Sequence, residues 1–135
     1  MIKSRLFKHT FTLLFITVFL DLVAEKFYLY FTTSWFDSMV HFLATSCVGM
    51  AGFLVLIYFG KINTFSRKKQ IVIAVSGALV IGLLWEVYEL YFGITLLSDG
   101  IRYVRDTASD LSMDVLGGFS GSFYSLKLLE ENKNG

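Results

Sequence analysis

The sequence has no proline, a single cysteine and almost no net charge, and each of these deficits excludes something. Because Cys47 is alone, the chain forms neither an internal disulfide framework nor a metal site with several thiolate ligands. The net charge of +1 provides no basic field of the kind that attracts nucleic acid, so nucleic acid is not expected as a partner. Without proline, repeats or low-complexity stretches there is no obvious linker, and we predict one domain over residues 1–135.

Apolar residues dominate what is present. Hydrophobic residues make up 55% of the chain and charged residues 17%, a composition typical of a protein whose solvent is a lipid bilayer. A helix of about 20 apolar residues is long enough to cross the hydrocarbon core. Four such segments predict helices at about residues 10–30, 35–59, 71–92 and 107–129. The predicted fold is therefore all-α, an integral membrane four-helix bundle.

The first apolar segment follows basic residues, which is also the pattern of a signal peptide. This alternative is disfavoured because Asp21, Glu25 and Lys26 occupy the region where a cleavage site with small residues would lie. Apolar character also resumes at Phe27. We therefore assign the segment to the first helix of the bundle.

The orientation of the bundle is predicted from its basic residues, which are enriched in the cytoplasmic loops of membrane proteins. They lie before the first helix and between the second and third: Lys3, Arg5, Lys8, Lys61, Arg67, Lys68 and Lys69. Both chain ends are then expected inside, and the polar loop over residues 93–105 outside. Arg102 and Arg105 lie in that outer loop, against the general bias, so they call for a local reason.

Acidic residues are concentrated where a membrane protein should have few. Eight of the eleven lie within or at the ends of the apolar segments: Asp21, Glu25, Asp37, Glu86, Glu89, Asp106, Asp110 and Asp114. Most are spaced three or four residues from another ionisable group, which places them on one helix face, as Asp37 is with His41. A carboxylate exposed to lipid costs a few kcal/mol, so these faces are expected to meet inside the bundle near its outer end.

A metal site is the preferred explanation for this concentration. Carboxylates at such density cannot all stay ionised unless they share protons or cations neutralise them. Carboxylates with one imidazole are suitable ligands for a divalent ion, which could be Mg²⁺, Mn²⁺, Ca²⁺, Zn²⁺ or Fe²⁺. The predicted ligands are Asp37, His41, Glu86, Glu89, Asp106, Asp110 and Asp114. Protonated networks and internal salt bridges remain open.

Simpler roles exist for some of these residues. Asp37 could cap the second predicted helix and Asp106 the fourth, since an acidic side chain in the first turn satisfies free amides. Asp21 could be a buried hydrogen-bonding residue, and Glu25 could pair with Lys26 at the membrane interface. Gly117 and Gly121 form a G-x-x-x-G pair that predicts close helix packing.

Three segments resemble signatures of the VanZ-like family of small bacterial inner-membrane proteins. They are DSMVHF at residues 37–42, WEVYE at 85–89 and DTASDLSMDVLG at 106–117. The resemblance implies a multi-helix domain in a bacterial inner membrane, but no defined reaction. This sequence departs from the family pattern at Ser38 for a lysine, Glu89 for a glutamine and Asp114 for an asparagine. The extra carboxylates favour the metal hypothesis.

A metal site that opens to the outer leaflet predicts a hydrolase of a lipid or lipid-linked phosphate. The predicted catalytic residues are Asp37, His41, Glu86 and Asp110. Arg102 and Arg105 would bind phosphate oxygens, unless they pair with Asp99 or Asp106. One alternative is a cation or proton transporter, or a channel formed as a homo-oligomer, with the acids along the conduction path. Another is an assembly protein that holds a structural ion.

Overall fold

The structure is a computed structural model that describes residues 2–33 and 35–134, with side chains over residues 4–33 and 35–131. The side chain of Lys3, which entered the orientation prediction above, lies outside this description. The elements, all helical, are α1 (Ile2–Phe27), α2 (Leu29–Thr32), α3 (Phe36–Tyr58), α4 (Arg67–Phe92), a 3-10 helix (Leu97–Asp99) and α5 (Ile101–Asn134). The described residues contain no strand, so the all-α prediction is confirmed.

Three of the helices are long and apolar enough to cross a membrane. They are α1, over Ser4–Phe27, and the whole of α3 and of α4. Large apolar side chains on the outer faces of α1 and α4 are exposed, among them Phe15, Phe19 and Val87, as expected for surfaces that contact lipid. The fourth predicted segment lies in α5, which has 34 residues but is less apolar, because aspartates, serines and glycines interrupt it.

The helices extend beyond several of the predicted bounds, and two of these differences have a local reason in the backbone. The first helix ends at Phe27, because Tyr28 adopts a left-handed conformation with φ 56° and the chain restarts as the short α2. The predicted outer loop is shorter than residues 93–105, because α5 begins at Ile101 directly after Gly100, whose φ is 59°. Arg102, Arg105 and Asp106 therefore lie on the first two turns of α5 and not in a loop.

Helix α3 lies at the centre and packs against α1, α4 and most extensively α5. The contact between α3 and α5 is close because both carry small residues. A Cβ atom added to Gly121 would overlap the carbonyl oxygen of Ser46, and one on Gly49 would lie 2.6 Å from the carbonyl oxygen of Gly118. The predicted close packing at Gly117 and Gly121 is thus confirmed, and it fixes which faces of α3 and α5 meet.

The four long helices, α1, α3, α4 and α5, run antiparallel in chain order, so the start of one lies beside the end of the next. Leu6 of α1, Ile57 of α3, Ala74 of α4 and Leu128 of α5 belong to one buried apolar cluster. The start of α1, the end of α3, the start of α4 and the end of α5 therefore lie together. The first turns of α3 and α5 and the last turns of α4 lie at the opposite end, where the acidic residues are.

Candidate metal centre

Ionisable side chains of three helices converge at this second end. Three groups bring ligand atoms within 4.8 Å of one another. They are Asp37–His41–Glu89, His41–Glu86–Asp110 and Asp37–Asp106–Asp110. We call these six residues the acidic cluster. It contains six of the seven predicted metal ligands, and the seventh, Asp114, contacts His41.

The acidic cluster is mostly shielded from solvent. Asp110 is 1% exposed, and Glu86 and Glu89 are each 5% exposed, whereas Asp106 at the rim is exposed. Within the described part of the chain, the only basic group that pairs with these carboxylates is His41. If all five carboxyl groups were ionised, the one imidazole could not balance their charge.

Each of three cluster carboxylates is oriented by one hydrogen bond from a neighbouring side chain. The hydroxyl of Thr107 donates to Oε2 of Glu86 at 2.7 Å, and the hydroxyl of Ser38 donates to Oδ1 of Asp110 at 2.8 Å. The indole of Trp85 donates to Oε1 of Glu89 at 3.0 Å. These bonds fix each carboxyl group and leave its second oxygen without a side-chain donor.

His41 shows the same arrangement. Its Nδ1 lies 3.0 Å from Oδ1 of Asp114, while its Nε2 has no hydrogen-bond partner and lies 4.0 Å from Oδ1 of Asp37. Oε1 of Glu86 is also buried and without a partner. In metal sites, a ligating histidine typically donates its other N–H to a carboxylate, which fixes the ring orientation. Asp114 has that position, and it belongs to none of the three groups described above.

A glycine makes room for Asp114. The Asp114 side chain is fully buried, and a Cβ atom added to Gly82 of α4 would overlap its carboxylate. The sequence alone does not reveal this role of Gly82. Thr107 and Ser38 were not recognised from the sequence either, although each directly follows an acidic residue of the cluster. Their roles depend on how the helices are rotated about their axes.

The acidic cluster forms part of the wall of a pocket of about 560 Å³, which we call the outer pocket. Asp37, Glu89 and Asp106 line it together with Arg102. Arg105 is exposed and is not part of this lining. Neither arginine forms an ion pair with Asp99 or Asp106, whose side chains the structure also describes. Of the two arginines that were predicted to bind phosphate, only Arg102 therefore lies next to the acidic cluster.

The structure tests the proposed helix-capping roles of Asp37 and Asp106. Asp37 lies in the first turn of α3, but the residue that caps this helix is Trp35, without a side-chain hydrogen bond. Asp106 lies five residues after the start of α5, so the prediction that it caps this helix is wrong.

Asp21 acts as a partly buried hydrogen-bonding residue, since the hydroxyl of Tyr30 donates to its Oδ1 at 2.5 Å. Burial, and then this bond, raise the pKa of Tyr30. Asp21 belongs to none of the three groups that could hold an ion, and the exposed Glu25 does not either. Both nevertheless line the outer pocket.

Residues 2–130 match the family described as "Predicted membrane protein (DUF2238)". The match spans nearly the whole chain, so the chain belongs to this family of membrane proteins. The comparisons gave no finding specific to the VanZ-like family. No curated protein and no solved structure matched the chain.

Proposed function

We propose that this member of the DUF2238 family is a membrane-embedded hydrolase of lipid-linked phosphate that depends on divalent metal ions held by the acidic cluster. The observation that carries the proposal is the pair of buried ligand atoms without partners, Nε2 of His41 and Oε1 of Glu86. His41 and Glu86 belong to one group with Asp110, in which each residue offers a ligand atom within 4.8 Å of the others. An unpartnered buried polar atom is costly, and a bound cation would satisfy both.

The chemistry of the donor set fits a divalent ion. Carboxylate oxygens suit Mg²⁺, Mn²⁺ and Ca²⁺, and an added imidazole favours Mn²⁺, Fe²⁺ or Zn²⁺. Asp110 belongs to two of the three groups, and so do Asp37 and His41. This overlap supports a centre for one or two ions. A bound ion would also supply the positive charge that the buried carboxylates lack.

The outer pocket supports hydrolysis of a phosphate ester. Arg102 lies in its lining, where a guanidinium can bind phosphate oxygens in a bidentate manner. A divalent ion supplies Lewis acidity and lowers the pKa of a bound water. Asp37, His41, Glu86 and Asp110 would hold the ions, and a cluster carboxylate left free by them would accept the proton of the attacking water.

The proposal includes a membrane topology. We infer that α5 also crosses the bilayer, which completes a four-helix transmembrane bundle with both termini in the cytoplasm of a bacterial cell. Support comes from Arg5, Lys8 and Lys61, which lie at the end of the molecule opposite to the acidic cluster. The outer pocket would then open at the extracytoplasmic leaflet of the inner membrane.

The structure supports hydrolysis more than transport. A conduction path needs polar groups along the whole bundle, yet the buried hydroxyls beyond the cluster bond to their own helices. Ser122 and Ser125 donate to carbonyl oxygens four residues earlier, at 2.7 and 2.8 Å, and Thr10 does the same at 2.8 Å. These hydroxyls are therefore engaged and do not extend the acidic cluster toward the other end.

The two arginines provide a test with a matched control. Purified protein in phosphatidylcholine vesicles that contain phosphatidic acid is expected to release inorganic phosphate when Mn²⁺ is present, and not with a chelator. Arg102→Gln should lower the rate by about 100-fold, because one charged contact to the phosphate is lost. Arg105→Gln should leave the rate nearly unchanged. Release of phosphate in chelator, or equal rates for the two variants, would contradict the proposal.

Gly82 provides a test of how His41 is oriented. Gly82→Ala is expected to weaken Mn²⁺ binding by about 10–100-fold, because the new methyl group displaces the Asp114 carboxylate that orients the imidazole. The control is Gly77→Ala on the same helix, whose Cβ would lie 4.0 Å from Cγ1 of Val48 in ordinary contact. Titration of Mn²⁺ followed by electron paramagnetic resonance measures both affinities. Equal affinities in the two variants would show that Asp114 does not orient the ligand.

A further inference from the structure

A second cavity, of about 170 Å³, lies between α1, α3 and α4. We call it the intramembrane groove, and its apolar lining is formed by Leu14, Val18, Val40, Ala44, Ile81 and Trp85. His41 and Asp114 lie at its wall. The groove exists because α1 packs against α3 and makes no extensive contact with α4. The groove is therefore an apolar cavity next to the imidazole of His41.

The groove continues from the outer pocket. Asp21 and Trp85 line both cavities, so one wall passes from the first to the second. The outer pocket lies at the helix ends that carry the acidic cluster, and the groove extends from there toward Leu14, near the middle of the α1 span. Along the helices, the order is thus a polar pocket at the boundary and an apolar groove below it.

The hydroxyl groups in the groove offer no free hydrogen bond to a polar ligand. Thr17 donates to the carbonyl oxygen of Leu13 at 2.9 Å, and Thr45 donates to that of His41 at 2.6 Å. Both bonds stay within the helix that carries the threonine. The ligand that matches the remaining lining is a hydrocarbon chain.

We propose that the intramembrane groove binds the hydrocarbon chain of a membrane lipid whose phosphate headgroup occupies the outer pocket. This inference rests on the proposed function and names its substrate class as a lipid phosphate monoester. A lipid in a bilayer holds its headgroup at the boundary and its chain toward the midplane, and the two cavities are stacked in that order. The hydrocarbon chain of the lipid enters the groove from the bilayer through the gap between α1 and α4. The lipid phosphate then lies beside Arg102 and the acidic cluster.

The test is native mass spectrometry of the full chain in mild detergent with a chelator present. Dioleoyl phosphatidic acid is the added probe. Wild-type protein is expected to retain one lipid per chain. Ala44→Phe fills the groove and should lower lipid affinity by about tenfold or more, since the chain loses its space. Val80→Phe is the matched control, because Val80 is an exposed neighbour of Ile81 outside the groove lining.

The outcomes separate the groove from the metal centre. Retention of lipid by wild type and Val80→Phe, with loss in Ala44→Phe, supports the inference whether or not metal binds. Helical circular dichroism of Ala44→Phe equal to that of wild type excludes misfolding as the cause of the loss. A wild-type protein that retains no lipid, or an Ala44→Phe variant that retains as much as Val80→Phe, would overturn it. Metal binding measured separately on the same preparations tests the proposed function by itself.

Discussion

Asp110→Ala is expected to lower the affinity for Mn²⁺ by at least about 100-fold, the largest effect of any single substitution in the acidic cluster. Asp110 belongs to two of the three groups that could hold an ion, and it is 1% exposed, so water cannot readily replace its carboxylate. Loss of this one side chain removes a ligand from both groups. The measurement is a titration of Mn²⁺ into detergent-solubilised protein, followed by electron paramagnetic resonance.

The control for this prediction is Asp99→Ala. Asp99 lines the outer pocket but belongs to none of the three groups, so its loss should leave the Mn²⁺ affinity unchanged. The metal-free Asp110→Ala protein should unfold at the same temperature as metal-free wild type or higher, because one of several uncompensated buried carboxylates is gone. Similar Mn²⁺ affinities for Asp110→Ala and Asp99→Ala would show that the buried groups do not hold the ion.

Mn²⁺ is expected to raise the melting temperature of the wild-type protein by on the order of 10 °C at a concentration of about 100 times the dissociation constant. The reason is that an ion bound to the folded state alone contributes about 2.7 kcal/mol at this concentration. It also relieves the repulsion among cluster carboxylates from α3, α4 and α5. Circular dichroism of the solubilised protein during heating measures the shift.

The two histidines supply matched variants for the thermal experiment. His41→Ala should abolish most of the shift, since His41 belongs to two of the three groups and its Nε2 is buried without a hydrogen-bond partner. His9→Ala should retain it, because His9 contacts Tyr124 in α5, away from the cluster, with 2.6 Å between Nδ1 and the phenol oxygen. A shift of the same size in both variants would mean that Mn²⁺ stabilises the protein from another place.

The convergence of the acidic residues could be predicted from the sequence because it depends on helical periodicity and on the cost of charge in lipid. Asp37 and His41 are four residues apart, as are Asp106 and Asp110, so each pair lies on one face whatever the exact helix ends. Because exposure of these polar faces to lipid is costly, they are expected to face one another inside the bundle. The described structure brings both pairs together at one end of the molecule.

The finer geometry could not be predicted because it depends on contacts between helices. The polar composition of residues 93–105 suggested a loop, but the turn at Gly100 lets α5 begin at Ile101. As a result, Arg102 lines the outer pocket and Arg105 does not. The hydrogen bond from Thr107 to Glu86 and the space that Gly82 leaves for Asp114 likewise require the rotation and separation of α4 and α5. Helical spacing alone carries no such information.

Elemental analysis of wild-type protein, purified in mild detergent without chelator, shows whether the acidic cluster holds metal. We expect one or two divalent metal ions per chain in wild type. We expect less than a tenth of that content in a Glu86→Ala, Asp110→Ala double variant, which lacks two ligands of one group. Wild-type protein without stoichiometric metal, even after addition of Mg²⁺, Mn²⁺, Ca²⁺ and Zn²⁺, would contradict the metal centre and the hydrolase that depends on it.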